Sequence, residues 1–172
     1  MTVVIRAGAS ALPSAAGPID IRPLRPEDLP GVLAMLRRCS AATRYRRFHG
    51  FSDGVDHARG LVAAPSETVV AFEGGRCIGL ATLAAGEDDH ELGVLVEDDR
   101  QRHGVGTRLV GVLVGAARAR RVRHLRAEVL GDDAHLLVAL GRLGPMRVVR
   151  SFGVSSAVVE LAPAPGALGR SR

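Results

Sequence analysis

Apolar and polar residues alternate through Ile19-Asp20-Ile21-Arg22-Pro23, which is the period of a strand. Pro26-Glu27-Asp28 then opens a stretch in which Leu29, Val32, Leu33, Met35 and Leu36 recur at helical spacing. From Cys39 to about Ala64 the pattern is less regular and predicts one or two short helices, around Arg44 to Phe48 and Val55 to Ala63. Glu67 to Glu73 and Arg76 to Ala84 are β-prone runs joined by Gly74-Gly75, a pair that tolerates the positive φ of a tight hairpin, and Glu91 to Val96 reads as the next strand.

The period turns helical again from Gly104 to Arg121, with Val105, Leu109, Val112, Leu113 and Ala116 expected inward, before a strand at His124 to Leu130. A helix between two such strands implies a crossover and a parallel pair. Asp132-Asp133 can cap a helix running to about Leu143, Gly144-Pro145 stops it, and Met146 to Val149 with Ser156 to Leu161 supply two final strands. The result is one α/β domain over residues 19–161, with an α+β character in its mixed sheet. Residues 1–18 and 162–172, rich in Ala, Gly, Ser and Pro, read as disordered tails.

Composition narrows the chemistry. In 172 residues, 47% are hydrophobic and only 3% aromatic, so the core is built from aliphatic side chains and a nucleobase-stacking platform is disfavoured. The sequence contains no Lys, which excludes a phosphate loop ending in Gly-Lys, a Schiff-base lysine and autoacetylation on an internal lysine. A net charge of +5 favours anionic partners, whether nucleic acid, a membrane surface or a phosphate-rich cofactor. Cys39 and Cys77 have no Cys or His at metal-ligand spacing and read as buried free thiols, so no metal is expected and the cytoplasm fits. No apolar run approaches the roughly 18 residues of a membrane span, and residues 1–18 lack the pattern of a secretory signal.

Gln101-Arg102-His103-Gly104-Val105-Gly106 stands where the strand ending at Val96 passes into the long helix. A dinucleotide fingerprint would need a third glycine at position 109, which is Leu109, and its glycines immediately after the strand, where Asp98 to Arg102 intervene. The segment reads better as an anion loop. Glycines allow the backbone close to a pyrophosphate, the helix start offers unsatisfied N–H groups, and Arg102 and Arg108 add charge at the rim.

With that loop, the strand before it and the helix after it, residues 19–161 resemble the GNAT superfamily of N-acetyltransferases. Its coenzyme motif is Gln or Arg, two residues, Gly, one residue, then Gly or Ala, and Gln101 to Gly106 fits every position. The resemblance implies a central mixed sheet of six to seven strands flanked by helices and splayed between strands four and five. Acetyl-coenzyme A would be the co-substrate, with its pantetheine on the backbone of Val94, Leu95 and Val96. Its pyrophosphate would meet the amides of Arg102, His103, Gly104, Val105, Gly106 and Thr107, the loop that Gln101 opens.

Transfer to an amine requires removal of a proton from an ammonium group. Many members place a glutamate at the start of the fourth strand, which implies Glu91 as the base, with Asp89 and His90 as neighbours able to substitute. A Tyr that often protonates the departing thiolate is replaced by Leu140, and the Asn seven residues before it by Asp133. His135 or water is then left for that step. Arg44-Tyr45-Arg46-Arg47-Phe48 is similar to a segment of bacterial protein lysine acetyltransferases, as is the strand from Glu91 to Val96. That similarity implies Tyr45 and Phe48 beside the acceptor and a protein lysine as the amine.

Two other classes compete. The run Arg118 to Arg126 suggests a nucleic-acid module, but it lacks interleaved aromatics and lies where basic residues complement a helix C-terminus. A catalytically inactive acyl-coenzyme A sensor is suggested by Asp133 and Leu140. The oligomeric state is left between monomer and homodimer.

Overall fold

The computed structural model describes residues 18–63, 67–86, 89–130 and 134–162. The expectations for the two tails and for an Asp132-Asp133 cap therefore fall outside the described residues, apart from the edge positions 18 and 162.

A strand β1 (Ile19–Pro23) and one 3-10 turn (Pro26–Asp28) lead into α1 (Leu29–Arg38), α2 (Ala41–Phe48) and α3 (Val55–Ala63). The meander β2 (Glu67–Glu73), β3 (Arg76–Ala85) and β4 (His90–Val96) follows, then a 3-10 turn (Asp98–Arg100) and α4 (Val105–Ala119). The chain closes with β5 (His124–Leu130), α5 (Ala134–Gly141), β6 (Met146–Ser151) and β7 (Val154–Glu160). The strands form one seven-stranded sheet in the order β1-β2-β3-β4-β5-β7-β6. Its pairs are antiparallel except β4 with β5, which is parallel, as the crossover through α4 requires.

Each face of the sheet has its own apolar core. α4 covers one face with Leu109 and Leu113, each fully buried and worth about 1.5–3 kcal/mol on the usual transfer scale. α1 and α3 cover the other with Val32, Met35, Leu36 and Ala58. Cys39 and Cys77 are buried in this second core as free thiols, and burial pushes them up to about 12 and about 11 respectively. Gly74 and Gly75 make the β2–β3 turn with φ of +56° and +78°, which explains the glycine pair.

The inward stripe of α4 differs from the expected one. Val110, Val114 and Ala117 join Val105, Leu109 and Leu113 inside, while Val112 is 45% exposed and Ala116 only half-buried. Apolar residues surround this helix on nearly all sides, so two stripes one step apart satisfy the same period. Packing against β2, β3 and β4 decides between them. No described helix is long and apolar enough to cross a membrane.

Candidate functional site

β4 pairs with β3 along its whole length, from Ala85↔His90 to Gly79↔Val96, but with β5 only at His90↔Leu125 and Glu91↔Arg126. Beyond Glu91 the two parallel strands part. The Glu97 N–H donates to Ile78 O at 3.0 Å on the β3 side. By strand alternation the backbone groups of Gly93 and Leu95 also face β3, and those of Val94 and Val96 face the opening. Val94 thus presents an N–H and a C=O that have no strand partner on that side among the described residues. The opening is a cleft of about 830 Å³, walled by α2, β4, β5, α5 and the start of α4. An extended ligand carrying amide groups could pair with that edge as a strand would.

The cleft ends on the loop from Gln101 to Thr107. Arg102 and Gly104 both take left-handed backbone, φ +63° and +80°, and Gly104 is the N-cap of α4. A Cβ on Gly104 would meet nothing within 4 Å, so glycine is needed there for its φ and not for lack of room. Gly106 packs its Cα side toward Val94 and Val96, at 3.6 Å or more for an added Cβ. Arg102, Gly104, Gly106 and Thr107 line the cleft, and the N–H groups of the first turn of a fifteen-residue helix open onto it. Exposed amides at the positive end of a helix suit an anion. Arg108 is not at its rim: its guanidinium donates to Ile19 O at 3.0 Å on β1.

The loop is held by a polar frame. Gln101 donates through Nε2 to Val96 O (3.0 Å) and to Thr43 Oγ1 (3.1 Å), so its side chain ties the end of β4 to α2. Asp98 accepts from Ser40 N–H, Ser40 Oγ and Thr43 Oγ1 at 2.7–2.8 Å. Burial alone would raise its carboxyl, yet these bonds hold it below the usual carboxylate range. Neighbouring Glu97 is buried and bonded by Arg38 (2.6 and 3.1 Å) and Arg76. Here too burial pushes up, and the two guanidiniums pull the carboxyl below its ordinary value.

At the other end of the cleft lies Glu91, exposed, with no ion pair to a described residue. Its side chain shares a sheet face with Gly93, where Arg47 comes down from the last turn of α2. A Cβ on Gly93 would fall 2.4 Å from Arg47 Nη2, so the guanidinium lies directly on the glycine. Arg47 Nη2 donates to the buried Thr82 hydroxyl (3.0 Å) and lies 3.2 Å from His57 Nε2. Burial lowers the Arg47 guanidinium, with Glu91 acting the other way. The His57 imidazole is lowered first by desolvation and then by Arg47, which keeps it neutral and able to accept that bond.

Of the other residues singled out, Phe48 lines the cleft, its ring 5.2 Å from that of His57. Tyr45 does not line it; it is 42% exposed and packs on Phe51 at 5.3 Å. Arg44 of the same segment donates to Leu36 O and Cys39 O and so satisfies carbonyls at the end of α1. Leu140 is buried beside the cleft and His135 is exposed on its wall. Asp133 lies outside the described residues. Within the basic run, Arg118 donates to Leu143 O, Arg120 pairs with Glu67 and Arg126 with Asp89, so part of its charge is satisfied at home. Arg47 and His57 were not legible as site residues. The sole hint was an Arg preceding Phe48 in the segment already noted.

Comparison with known proteins agrees with this geometry. The family model described as the acetyltransferase (GNAT) family matches residues 34–143, more than half of the chain. The fold is similar to the crystal structure of the GNAT domain of S. lividans PAT, with a TM-score of 0.71 and 23% identity over 82% of this chain and 89% of that one. It is also similar to the ribosomal-protein-S18-alanine N-acetyltransferase from Escherichia coli, with a TM-score of 0.65 and 20% identity over 88% and 99% of the two chains. A third likeness is to the PaiA N-acetyltransferase from Thermoplasma acidophilum in complex with coenzyme A, with a TM-score of 0.64 and 15% identity over 83% and 99%. With a parted β4–β5 pair that opens onto a glycine-capped helix start, the chain belongs to the acetyltransferase (GNAT) family and is an acetyl-coenzyme A-dependent acyltransferase.

Proposed function

We propose that the protein transfers the acetyl group of acetyl-coenzyme A to a primary amine, with Glu91 as the base. The observation that carries this reading is the parting of β4 from β5 immediately after Glu91. It sets the carboxylate at the head of the same cleft that ends on the α4 amides. The coenzyme supplies a thioester; the chain binds it along Val94 and Val96 and holds its pyrophosphate with the N–H groups from Arg102 to Thr107. Glu91 removes a proton from the acceptor ammonium, directly or through a water, because only the free amine attacks a thioester carbonyl. The C–N bond forms, the nitrogen gives up its second proton to water, the C–S bond breaks, and the thiolate takes a proton from water or from His135, since Leu140 offers none. The similarity of the Arg44 to Phe48 segment to bacterial protein lysine acetyltransferases supports a protein lysine as the acceptor.

The test is a coenzyme A release assay on amines, peptides and lysate protein, with thermal melting in parallel. Acetyl-coenzyme A should raise the melting temperature, since a ligand that binds only the folded state stabilises it. Glu91→Gln should keep that shift and lose on the order of a hundredfold in turnover. A melting temperature unmoved by millimolar coenzyme would sink the coenzyme reading. Binding with no turnover on any acceptor would replace the enzyme with an acyl-coenzyme A sensor.

A further inference from the structure

Most guanidiniums that lie against the body of this molecule meet a carboxylate. Arg22 pairs with Asp28, Arg38 and Arg76 with Glu97, and Arg100 with Glu73. Arg47, in the wall of the cleft, does not. It forms no ion pair with a described residue, its Nε is buried without a hydrogen-bond partner, and burial lowers it even though the charge of Glu91 acts the other way. Of the five N–H donors of a guanidinium, those on Nη2 are committed to Thr82 and His57. The donors of Nη1 and Nε have no acceptor among the described residues. Arg46, on the same helix, lines the cleft as a second cation with no ion pair among the described residues.

The local structure is built to keep that guanidinium in place. Gly93 leaves the floor on which it rests, opposite Thr82 in the β3–β4 register. The Phe48 ring lies 5.5 Å from its charged carbon. Neutral His57 accepts from it, where a second cation would repel it. Glu91 is one strand repeat away on the same face, about 7 Å along the backbone.

Resting on the acetyl-transfer reading above, the geometry points to Arg47 as the anchor for an anionic group on the acceptor. The acceptor class is an amine that carries a carboxylate within reach of its nitrogen, so that Glu91 takes the ammonium end and Arg47 the carboxylate end. A guanidinium held in a low-dielectric wall with donors to spare gains most from a charged acceptor. An amine lacking the carboxylate would leave that cation desolvated and unpaired, which discriminates strongly against it. The carboxylate could belong to a free amino acid or to an acidic residue beside a protein lysine. Both present the same chemistry to Arg47.

Two matched pairs test this, an amino acid against its carboxamide, and a lysine peptide flanked by aspartates against the same peptide flanked by asparagines. The full-length protein should prefer the carboxylate member of at least one pair by about tenfold or more in kcat/KM. The pair that shows the preference identifies the source. Arg47→Gln should collapse the preference by raising KM for the carboxylate member, and Arg47→Lys should restore part of it. Both variants should still melt higher with acetyl-coenzyme A, which shows that they are folded with the coenzyme site formed. In the presence of coenzyme A, the carboxylate compounds should also raise the wild-type melting temperature more than their amides, a readout independent of turnover. The inference is overturned if wild type shows no preference in either pair by rate or by melting. It is also overturned if Arg47→Gln lowers kcat equally on both members with their ratio kept, which would place the guanidinium on the reacting carbonyl. Neither result touches the coenzyme reading, which fails only if acetyl-coenzyme A itself neither stabilises the protein nor releases coenzyme A.

Discussion

The C-terminal end of β4 carries Glu97 and Asp98, whose carboxylates take hydrogen bonds from Arg38, Arg76, Ser40 and Thr43 and bind α1 and α2 to the sheet. At the N-terminal end of the same strand, Glu91 has no ion pair among the described residues, and Arg47 rests on Gly93 with its Nε donor lacking a partner there. Both ends hold acidic and basic side chains within a few residues, and both line or border the cleft. The first arrangement satisfies its charges internally and fixes the loop from Gln101 to Thr107. The second leaves them without an ion pair among the described residues, open to a ligand. Charge spent inside the fold is structure, and charge held back is available for recognition and proton transfer.

The largest effect that would test the contrast is on stability. Glu97→Ala removes a buried carboxylate and strands two guanidiniums, which should cost about 2–3 kcal/mol. The lower end is expected, because Arg38 and Arg76 side chains are 35% and 42% exposed and water recovers part of their solvation. Glu91→Ala, at an exposed position, should change stability by less than about 0.5 kcal/mol. Urea unfolding followed by circular dichroism measures both. Equal losses in the two variants would erase the distinction between the ends.

Acid should expose the same contrast more gently. The Arg22 hydrogen bond holds the Asp28 carboxyl below its ordinary value. Glu97 and Asp98 are also depressed, their hydrogen bonds outweighing a burial that acts upward. For a depressed carboxyl the unfolded chain binds protons more readily than the folded one. The stabilisation is therefore complete above the unfolded values, about 4–4.5, and is lost as pH falls through the folded ones. Unfolding free energy should decline slightly below about pH 6.5, where the unfolded chain protonates His57 more readily than the folded one, and more steeply below about pH 4.5. Glu97→Gln should make that decline shallower. A stability that holds or rises on acidification through this window would show that these bonds contribute nothing net.

How far the sequence alone reaches follows from where each contact lies along the chain. Gly74-Gly75 were legible because a positive φ is a local demand that glycine meets wherever it occurs, whereas Gly104 reads from sequence as room for a pyrophosphate and turns out to be needed for its φ. The strand and helix order was legible because period is local too. The inward stripe of α4 was misjudged at Val112 and Ala116, since an almost wholly apolar helix does not announce which side faces the sheet. Gln101 was legible as part of a motif but not as the residue that ties Val96 to Thr43. Arg47 was legible only as the Arg before Phe48, not by what it touches. Its partners His57 and Thr82 lie 10 and 35 residues away, and its seat is a glycine on a third element, so only the folded sheet assembles the group.

The smallest effect concerns stability at Arg47 itself. Replacing a residue that makes hydrogen bonds to a buried threonine would ordinarily destabilise by about 1 kcal/mol, the usual net value of such a bond. Here the guanidinium also carries a desolvation that no ion pair among the described residues offsets and that Glu91 opposes only in part, and removing the charge recovers the remainder of that cost. Thr82 is left with a hydroxyl that can turn to another acceptor, and neutral His57 reaches solvent on its outer side. Arg47→Met keeps the aliphatic stem and deletes the charged head that rests on Gly93, so the lost bonds and the recovered desolvation nearly cancel. The unfolding free energy should stay within about 1 kcal/mol of wild type, or rise, even as discrimination between acceptors is lost, the pattern expected where a site is held in a destabilised state for function. A loss as large as that of Glu97→Ala would mean that Arg47 is a structural tie like Arg38, and the division between the two ends of β4 would fail.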